Sequence, residues 1–425
     1  MNKLHLKRRQ IHVIAAVTFG NVLEWFEVYL FAYLAPVLSQ VFFGYNGTLS
    51  NLEFAFIVFG LGFVTRPLGG ILFGRVGDLL GRKKAFFWSI VILTVPTFLM
   101  GALPTYKEWG IWAPIAFCIL RLLQSIPTGG EIPGTICYLY ENSDPTNRRF
   151  MTSWNAVGNQ IGALVGLVEM YLMSNYTSAE FMLSWGWRIS FLTGGLIGLL
   201  GIYLRHTLHE TPVFEKLKVE HKIDKESLLQ LINKYKYKIG IGTAFGAIDA
   251  ASFYLIATYI PTFFDEKIGL SENQNMFVSF LILVVTTVLL PFFGRLGDKV
   301  SNKFLCSASA VCLIALLYPL VIAIECENLV AVGVIGAVSL IPISCITALI
   351  AYLLGNLFPA PVRFTGVGLA VNLADGIIGG FTPAIALFLM QVTRSPVGFS
   401  WYILACGLVS LFAYLFFLKR HASPQ

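Results

Sequence analysis

Ionisable side chains stand inside the apolar runs of this 425-residue sequence, where each is costly unless a partner or a task accounts for it. Glu24 and Glu27, in NVLEWFEVYLF, are three residues apart and share adjoining parts of one helical face. Two carboxylates this close in an apolar setting do not both ionise cheaply, which is the condition a proton carrier exploits; either could instead be a structural bridge to an interior arginine. Arg66, in FVTRPLGG, keeps its charge when buried and needs a carboxylate, a cluster of carbonyls or an anionic solute group; Pro67 and the glycines after it permit a local break. Arg121 and Glu131, in RLLQSIPTGGEIPG, lie about 15 Å apart along a helix. Pro127, Gly129, Gly130, Pro133 and Gly134 make that helix easy to kink, so Glu131 is expected beside loosened backbone. Glu24, Glu27, Arg121 and Glu131 form the candidate proton-coupling set: protonation of a carboxylate would weaken its bond to Arg121 or Arg66.

A solute needs shape as well as charge. Trp25 and Tyr29, spaced i, i+4 beside the carboxylates, could hold an ammonium group over their rings, although most of the surrounding aromatics read as packing. Asn155, Asn159 and Gln160 form an amide stripe that either binds solute or ties helices together. Asp249 and Tyr254 share a later apolar run, and Asn372 and Asp375 another. Trp25, Tyr29, Arg66, Asn155, Asn159, Asp249 and Tyr254 are the candidate solute-binding set.

Holding these groups in place requires helices that cross a bilayer. At 56% hydrophobic and 12% charged residues, with mean hydropathy +0.73, the chain is expected to be an all-α, multi-spanning membrane protein. Twelve stretches are long enough, read at 12–38, 52–74, 84–103, 112–138, 152–174, 187–207, 238–262, 275–296, 304–324, 329–354, 365–390 and 397–418. With the N-terminus inside, 24 of the 30 Lys and Arg fall on the cytoplasmic side, eight of them between Arg205 and Lys238. That distribution, rather than nucleic acid, accounts for the basic pI. No cleavable signal is expected, and neither the seven cysteines nor the six histidines have metal-ligand spacing. The polar interval 205–237, with its mixed charges and scattered Leu, Ile and Val, reads as short amphipathic helices on the membrane face between two halves, 1–204 and 238–425.

Between the second and third helices lies GRVGDLLGRKK, from Gly74 to Lys84, and 220 residues later GRLGDKVSNK repeats it, with Asp298 matching Asp78. Gly74 and Gly77 allow close helix approach, while Asp78 can accept hydrogen bonds from a helix N-terminus or pair with a basic group. Such a contact can break and reform, so Gly74, Arg75, Asp78, Arg82 and Asp298 are the candidate conformational gate. Alone, the stretch would pass for a positive-inside hairpin; its repetition argues otherwise. Two parallel six-helix halves with this loop resemble the major facilitator superfamily. WGWRISF at 185–191, RHTLHETPVF at 205–214, GIWAP at 110–114 and GGE at 129–131 resemble its metabolite:proton symporter branch, which includes proline/betaine, dicarboxylate and shikimate transporters. In that branch an acidic residue is usual at the position of Glu27, often Asp, and Gly is usual where Ser125 stands. The resemblance also implies that helices 1, 4, 7 and 10 line the cavity.

The resulting expectation is proton-coupled uptake of a small polar metabolite by alternating access, most consistent with a zwitterion such as an amino acid or betaine. An organic acid importer using Arg66 and Arg121, and a nutrient sensor that no longer moves solute, are the alternatives. No catalytic constellation suggests an enzyme. The expected partners are the solute, protons and membrane lipid, with no nucleic acid, no metal and no cofactor beyond the proton. The expected setting is a monomer in the bacterial inner membrane with both termini cytoplasmic.

Overall fold

A bilayer offers the backbone no water, so each crossing segment must satisfy its own N–H and C=O groups, and helices result. The computed structural model describes residues 3–43, 51–224, 226–254, 269–395 and 397–418, and of residues 3–9, 51–64 and 254 only the backbone. The helices are α1 (Lys3–Phe42), α2 (Asn51–Leu80), α3 (Arg82–Ala102), α4 (Trp112–Glu141), α5 (Arg148–Tyr176) and α6 (Ala179–His206). They continue with α7 (Leu228–Tyr254), α8 (Glu272–Lys299), α9 (Asn302–Glu325), α10 (Leu329–Leu357), α11 (Ala360–Thr393) and α12 (Ser400–Phe417). Each overlaps one stretch read from the sequence, and no strand occurs among the described residues. Nine of them, among the described residues, are long and apolar enough to cross a membrane; the other three, α2, α4 and α7, hold Arg66, Arg121, Glu131 and Asp249.

Three expectations need correction. The polar interval does not consist of separate surface helices: among its described residues only Pro212–Val219 forms one, and α7 already begins at Leu228. A capping box starts it, with Gln230 N–H donating to Ser227 Oγ (3.3 Å) and Ser227 N–H donating to Gln230 Oε1 (2.9 Å). The stretch beyond Tyr254 lies outside the described residues. Neither α2 at Pro67 nor α4 at Pro127 and Pro133 breaks; both helices run through. The glycines there serve interhelical approach instead, because a Cβ on Gly69 would stand 1.6 Å from the Ile126 carbonyl and one on Gly129 1.8 Å from that of Arg66. Finally, Arg205 is not a loop charge: it lies in the last turn of α6, 1% exposed.

The chain forms two compact units: Met1–Asn142, Gly158–Lys225 and Ala360–Gly368 make one, and Ser143–Val157, Glu226–Pro359 and Leu369–Gln425 the other. In the first, α4 packs on α2 and α3, and α6 on α1 and α3. Gly158, Gly162 and Gly166 bring α5 against α1; a Cβ on Gly162 would lie 2.3 Å from the Val22 carbonyl. In the second, α10 packs on α8 and α9, and α12 on α7 and α9. There Ser410 and Tyr414 of α12 donate to the Ala244 and Phe245 carbonyls of α7 at 2.7 and 2.6 Å. Since lipid is as apolar as a leucine, such close packing and interhelical hydrogen bonds, rather than apolar burial, hold the bundles together.

Candidate functional site

A lone charge at bilayer depth costs about 2.5–3.5 kcal/mol or more, so the interior charges of the first unit must find partners. Glu24 finds Arg66, whose Nη2 donates to Oε1 at 2.8 Å, with both residues buried. Glu27, one turn on, is bound by a hydroxyl instead: Thr97 of α3 donates to its Oε1. Thr97 in turn accepts from Gln124 Nε2 (2.7 Å), and Gln124 Oε1 accepts from Arg121 Nη1 (2.6 Å). The Arg121 guanidinium lies 3.7 Å above the Phe31 ring. Ser125, where the resemblance leads one to expect glycine, accepts from Thr65 Oγ1 at 2.8 Å and so bonds α2 to α4.

Thr97 has a second acceptor, the Leu93 carbonyl at 2.8 Å. Its single proton can therefore point to an ionised Glu27 or, when Glu27 is protonated and donates to Thr97 Oγ1, to that carbonyl. Protonating Glu27 strands no directly bound cation, whereas protonating Glu24 would leave Arg66 without its bridge. A cavity of about 20 Å³, room for a single water molecule, is lined by Glu24, Glu27, Val28, Arg66, Arg121, Ser125 and Thr128. In this conformation it has room for a proton donor but not for a solute.

Glu131 is elsewhere. Its partner is neither Arg121 nor Arg66, as the sequence reading supposed, but Arg205, with Ser89 Oγ donating to Oε2 at 2.7 Å. Ten residues of α4, about 15 Å, separate Arg121 from Glu131, too far for a side-chain contact. Trp25 and Tyr29 are half-buried and do not line the cavity; Tyr29 Cβ sits 3.0 Å from where a Gly166 Cβ would be. Asn155 is buried and Asn159 half-buried on α5. In the second unit Thr347 of α10 donates to Asp249 Oδ1 and also to the Ile343 carbonyl (3.0 Å), a two-acceptor hydroxyl like Thr97. Asp375 lies on a widened π-helical stretch of α11, Asn372–Gly379. The side chain of Tyr254 is outside the described residues.

Of the hairpin residues, Asp78 accepts from the Phe364 and Thr365 N–H groups (3.1 and 2.9 Å) and from Thr365 Oγ1 (2.7 Å). Arg82 donates to Gly77 O at 2.8 Å and to Glu141 through Nε at 3.2 Å. Gly74 and Gly77 face Thr365 and Phe364 closely, and Arg75 is half-buried nearby. Asp298 accepts from the Arg149 and Phe150 N–H groups at 2.9 and 3.2 Å. Sequence reasoning missed Thr97, Gln124, Ser89, Arg205, Glu141 and Arg363. Only Gln124 carried a usable signal, standing i+3 from Arg121 on the same helical face.

Residues 13–238 match the model of the sugar (and other) transporter family. The proline/betaine transporter of Escherichia coli K12 is 30% identical, over 94% of this chain and 81% of its own length. The citrate-proton symporter of Klebsiella pneumoniae is 31% identical, over 97% of this chain and 93% of its own. A solved proton:xylose symporter of the major facilitator superfamily superposes with a TM-score of 0.75, covering 97% of this chain and 96% of that one at 19% identity. With helices long and apolar enough for a multi-pass membrane protein and relatives that are transporters rather than enzymes, the chain belongs to the sugar (and other) transporter family, and its fold is that of the major facilitator superfamily.

Proposed function

We propose that this transporter imports a small zwitterion, an amino acid or a betaine, together with protons, by alternating access of its halves 1–204 and 238–425 around the central segment 205–237. The observation that carries the proposal is Glu27, a buried carboxyl bound by a switchable hydroxyl beside a water-sized cavity. A proton taken up there removes the negative charge that Arg121 feels, and a solute carboxylate can then take its place. The neighbouring Glu24–Arg66 pair offers one charge of each sign, which complements a zwitterion better than an acid. Trp25, Tyr29, Asn155, Asn159, Asp249 and Tyr254 are proposed as further solute contacts, and the Asp78 and Asp298 hairpins as the gate. The names of the proline/betaine relatives support this solute class. The uneven spread of Lys and Arg, 24 of 30 at one end of the expected crossings, supports a bacterial inner-membrane orientation with both termini inside, and the protein is proposed to act as a monomer in lipid.

Proteoliposomes containing a pH-sensitive dye and clamped with potassium and valinomycin test this. At external pH 6, proline or glycine betaine should acidify the lumen beyond protein-free controls, and citrate should not. Acidification by citrate alone would favour the organic acid reading, with Arg66 and Arg121 as the anion site. Glu27→Gln should abolish proton-driven accumulation while leaving solute counterflow intact; unchanged accumulation would remove Glu27 from its role.

A further inference from the structure

We infer that Arg205, acting with Glu131 and Ser89, is a positioning residue that sets the register of the Glu27 proton relay; the inference rests on the reading of Glu27 as proton carrier. Arg205 Nη1 donates to Glu131 Oε2 (3.0 Å), to the Phe86 carbonyl (2.7 Å) and to Ser89 Oγ (3.3 Å). Its Nη2 donates to Glu131 Oε1 and to the Val17 carbonyl (3.4 Å), and the guanidinium lies 3.4 Å from the centre of the Phe86 ring. Glycine at position 20 makes room for the pair, because a Cβ there would stand 1.8 Å from Glu131 Oε1 and 1.9 Å from Arg205 Nη2. Arg205, Glu131 and Ser89 are each at most 1% exposed. One guanidinium from α6 thus fastens α1, α3 and α4 at a single level.

Those are the three helices that present the relay. Gly20 precedes Glu27 by seven residues on α1, Ser89 precedes Thr97 by eight on α3, and Glu131 follows Gln124 by seven on α4. Each interval is about two turns, or about 10–12 Å, so the ion pair forms a second layer spaced evenly from the relay along all three helices. A slip of any one helix at the lower layer displaces its relay member by the same amount. Glu131 is poorly suited to carry the proton itself, since neutralising it would strand a buried guanidinium. Around Glu131, α6 supplies Arg205, α3 Ser89, and α1 only Gly20 and a carbonyl. Around Glu27, α3 supplies Thr97, α4 Gln124 and Arg121, and α1 and α2 the Glu24–Arg66 pair. Lysine cannot replace the forked donor that reaches several acceptors at once.

The test compares Arg205→Gln, Glu131→Gln, the double variant, Arg205→Lys, Ser89→Ala and Glu27→Gln in proteoliposomes, measuring betaine counterflow and proton-driven uptake across external pH. Arg205→Gln and Glu131→Gln each leave the partner's buried charge unpaired and should lose at least about tenfold in initial uptake rate. The double variant should regain counterflow to within about threefold, yet keep a pH midpoint for driven uptake displaced by about one unit, tenfold in proton concentration. Arg205→Lys, and more mildly Ser89→Ala, which strands no charge and keeps the fold, should move the midpoint in the same direction. Wild-type midpoints in the folded double, Lys and Ala variants would overturn the inference and leave a plain structural staple. If those midpoints stay put while Glu27→Gln abolishes the drive, only this inference fails. If Glu27→Gln retains the drive, the relay reading fails first.

Discussion

The two Gly-Arg-x-Gly-Asp hairpins perform the same capping act with different support. Asp78 receives two backbone N–H bonds and a hydroxyl at the start of the α-helical part of α11, and Asp298 receives two N–H bonds at the start of α5. In both, a carboxylate meets the positive end of a helix. Arg82 at the first hairpin and Asn302 at the second, 220 residues apart, even have matching acceptors: Arg82 donates to the Gly77 carbonyl, and Asn302 to the Gly297 carbonyl at 3.2 Å with its amide suitably turned. Beyond that they part. Arg82 continues to Glu141, which also accepts from Arg363 (2.7 Å) and Thr211 (2.6 Å), and all of Asp78, Arg82 and Glu141 are buried. Asn302 reaches only Arg149 Nε, at 3.3 Å, and Asp298 is half-buried. The cap needs only an acid and two glycines; the second hairpin adds one loose ion pair, Arg149 Nη1 to Asp298 Oδ1 at 4.0 Å, and the first a largely buried network of Arg82, Glu141 and Arg363.

The largest effect should come from removing the acid. Asp78→Asn turns an amide NH₂ towards N–H donors and unbalances buried Arg82, and uptake should fall by more than about tenfold. Asp298→Asn removes a half-buried cap and should cost about two- to fivefold. Initial uptake rates at matched protein levels check this; equal losses would mean that the Arg82–Glu141 network adds nothing. A smaller effect separates the glycines. A Cβ on Gly74 would lie 2.7 Å from the Thr365 Cα, which is backbone and cannot turn aside, while one on its counterpart Gly294 would meet Ser153 Oγ at 2.5 Å, a side chain, and backbone only at the Phe150 Cα, 3.1 Å away. Gly74→Ala should therefore lower the Tm by about 5 °C and Gly294→Ala by less, about 3 °C. A reversed order would place the tight approach at the second hairpin.

The same contrast explains what could be read without the structure. Glu24, Glu27, Arg66 and Arg121 announce themselves because a charge inside an apolar run is expensive wherever it lies. Which carboxylate meets which arginine is a matter of depth and of the partner helix, so sequence alone does not lead from Glu131 to Arg205. Arg205 looked like loop because it opens RHTLHE at a helix end, where only tertiary burial tells inside from outside. Arg363 stands 222 residues from Glu141, and no local pattern connects them. The start of α7, by contrast, is legible: Ser227 and Gln230 have capping-box spacing, although the charge around them favours a reading as surface helices.

The smallest expected effect probes a support found only at the first hairpin among the described residues. Glu210, in the segment after α6, accepts from the Lys83 N–H through both oxygens at 3.2 Å and from the Thr211 N–H at 2.9 Å, and so holds the first turn of α3. Gly81, at φ +116°, leaves the space, since a Cβ would stand 2.2 Å from Glu210 Oε2. At the matching place before α9, Ser301 makes no side-chain cap bond. Burial pushes the Glu210 carboxyl above its ordinary range, against the pull of the N–H bonds and the Arg82 charge. A carboxyl raised in the folded state binds its proton more tightly there than when unfolded. Its stabilisation is complete below the ordinary carboxylate pKa of about 4.3 and is lost as pH rises through the folded value. Glu210→Gln keeps an acceptor and cannot ionise, so its Tm relative to wild type should climb by about 1 °C as pH rises through that window and then level off. Glu210→Ala, which removes the cap bonds, should lie below wild type on both sides of it. A Gln-to-wild-type gap that does not change with pH would mean that the bonds to Lys83 and Thr211, rather than burial, govern the ionisation of Glu210.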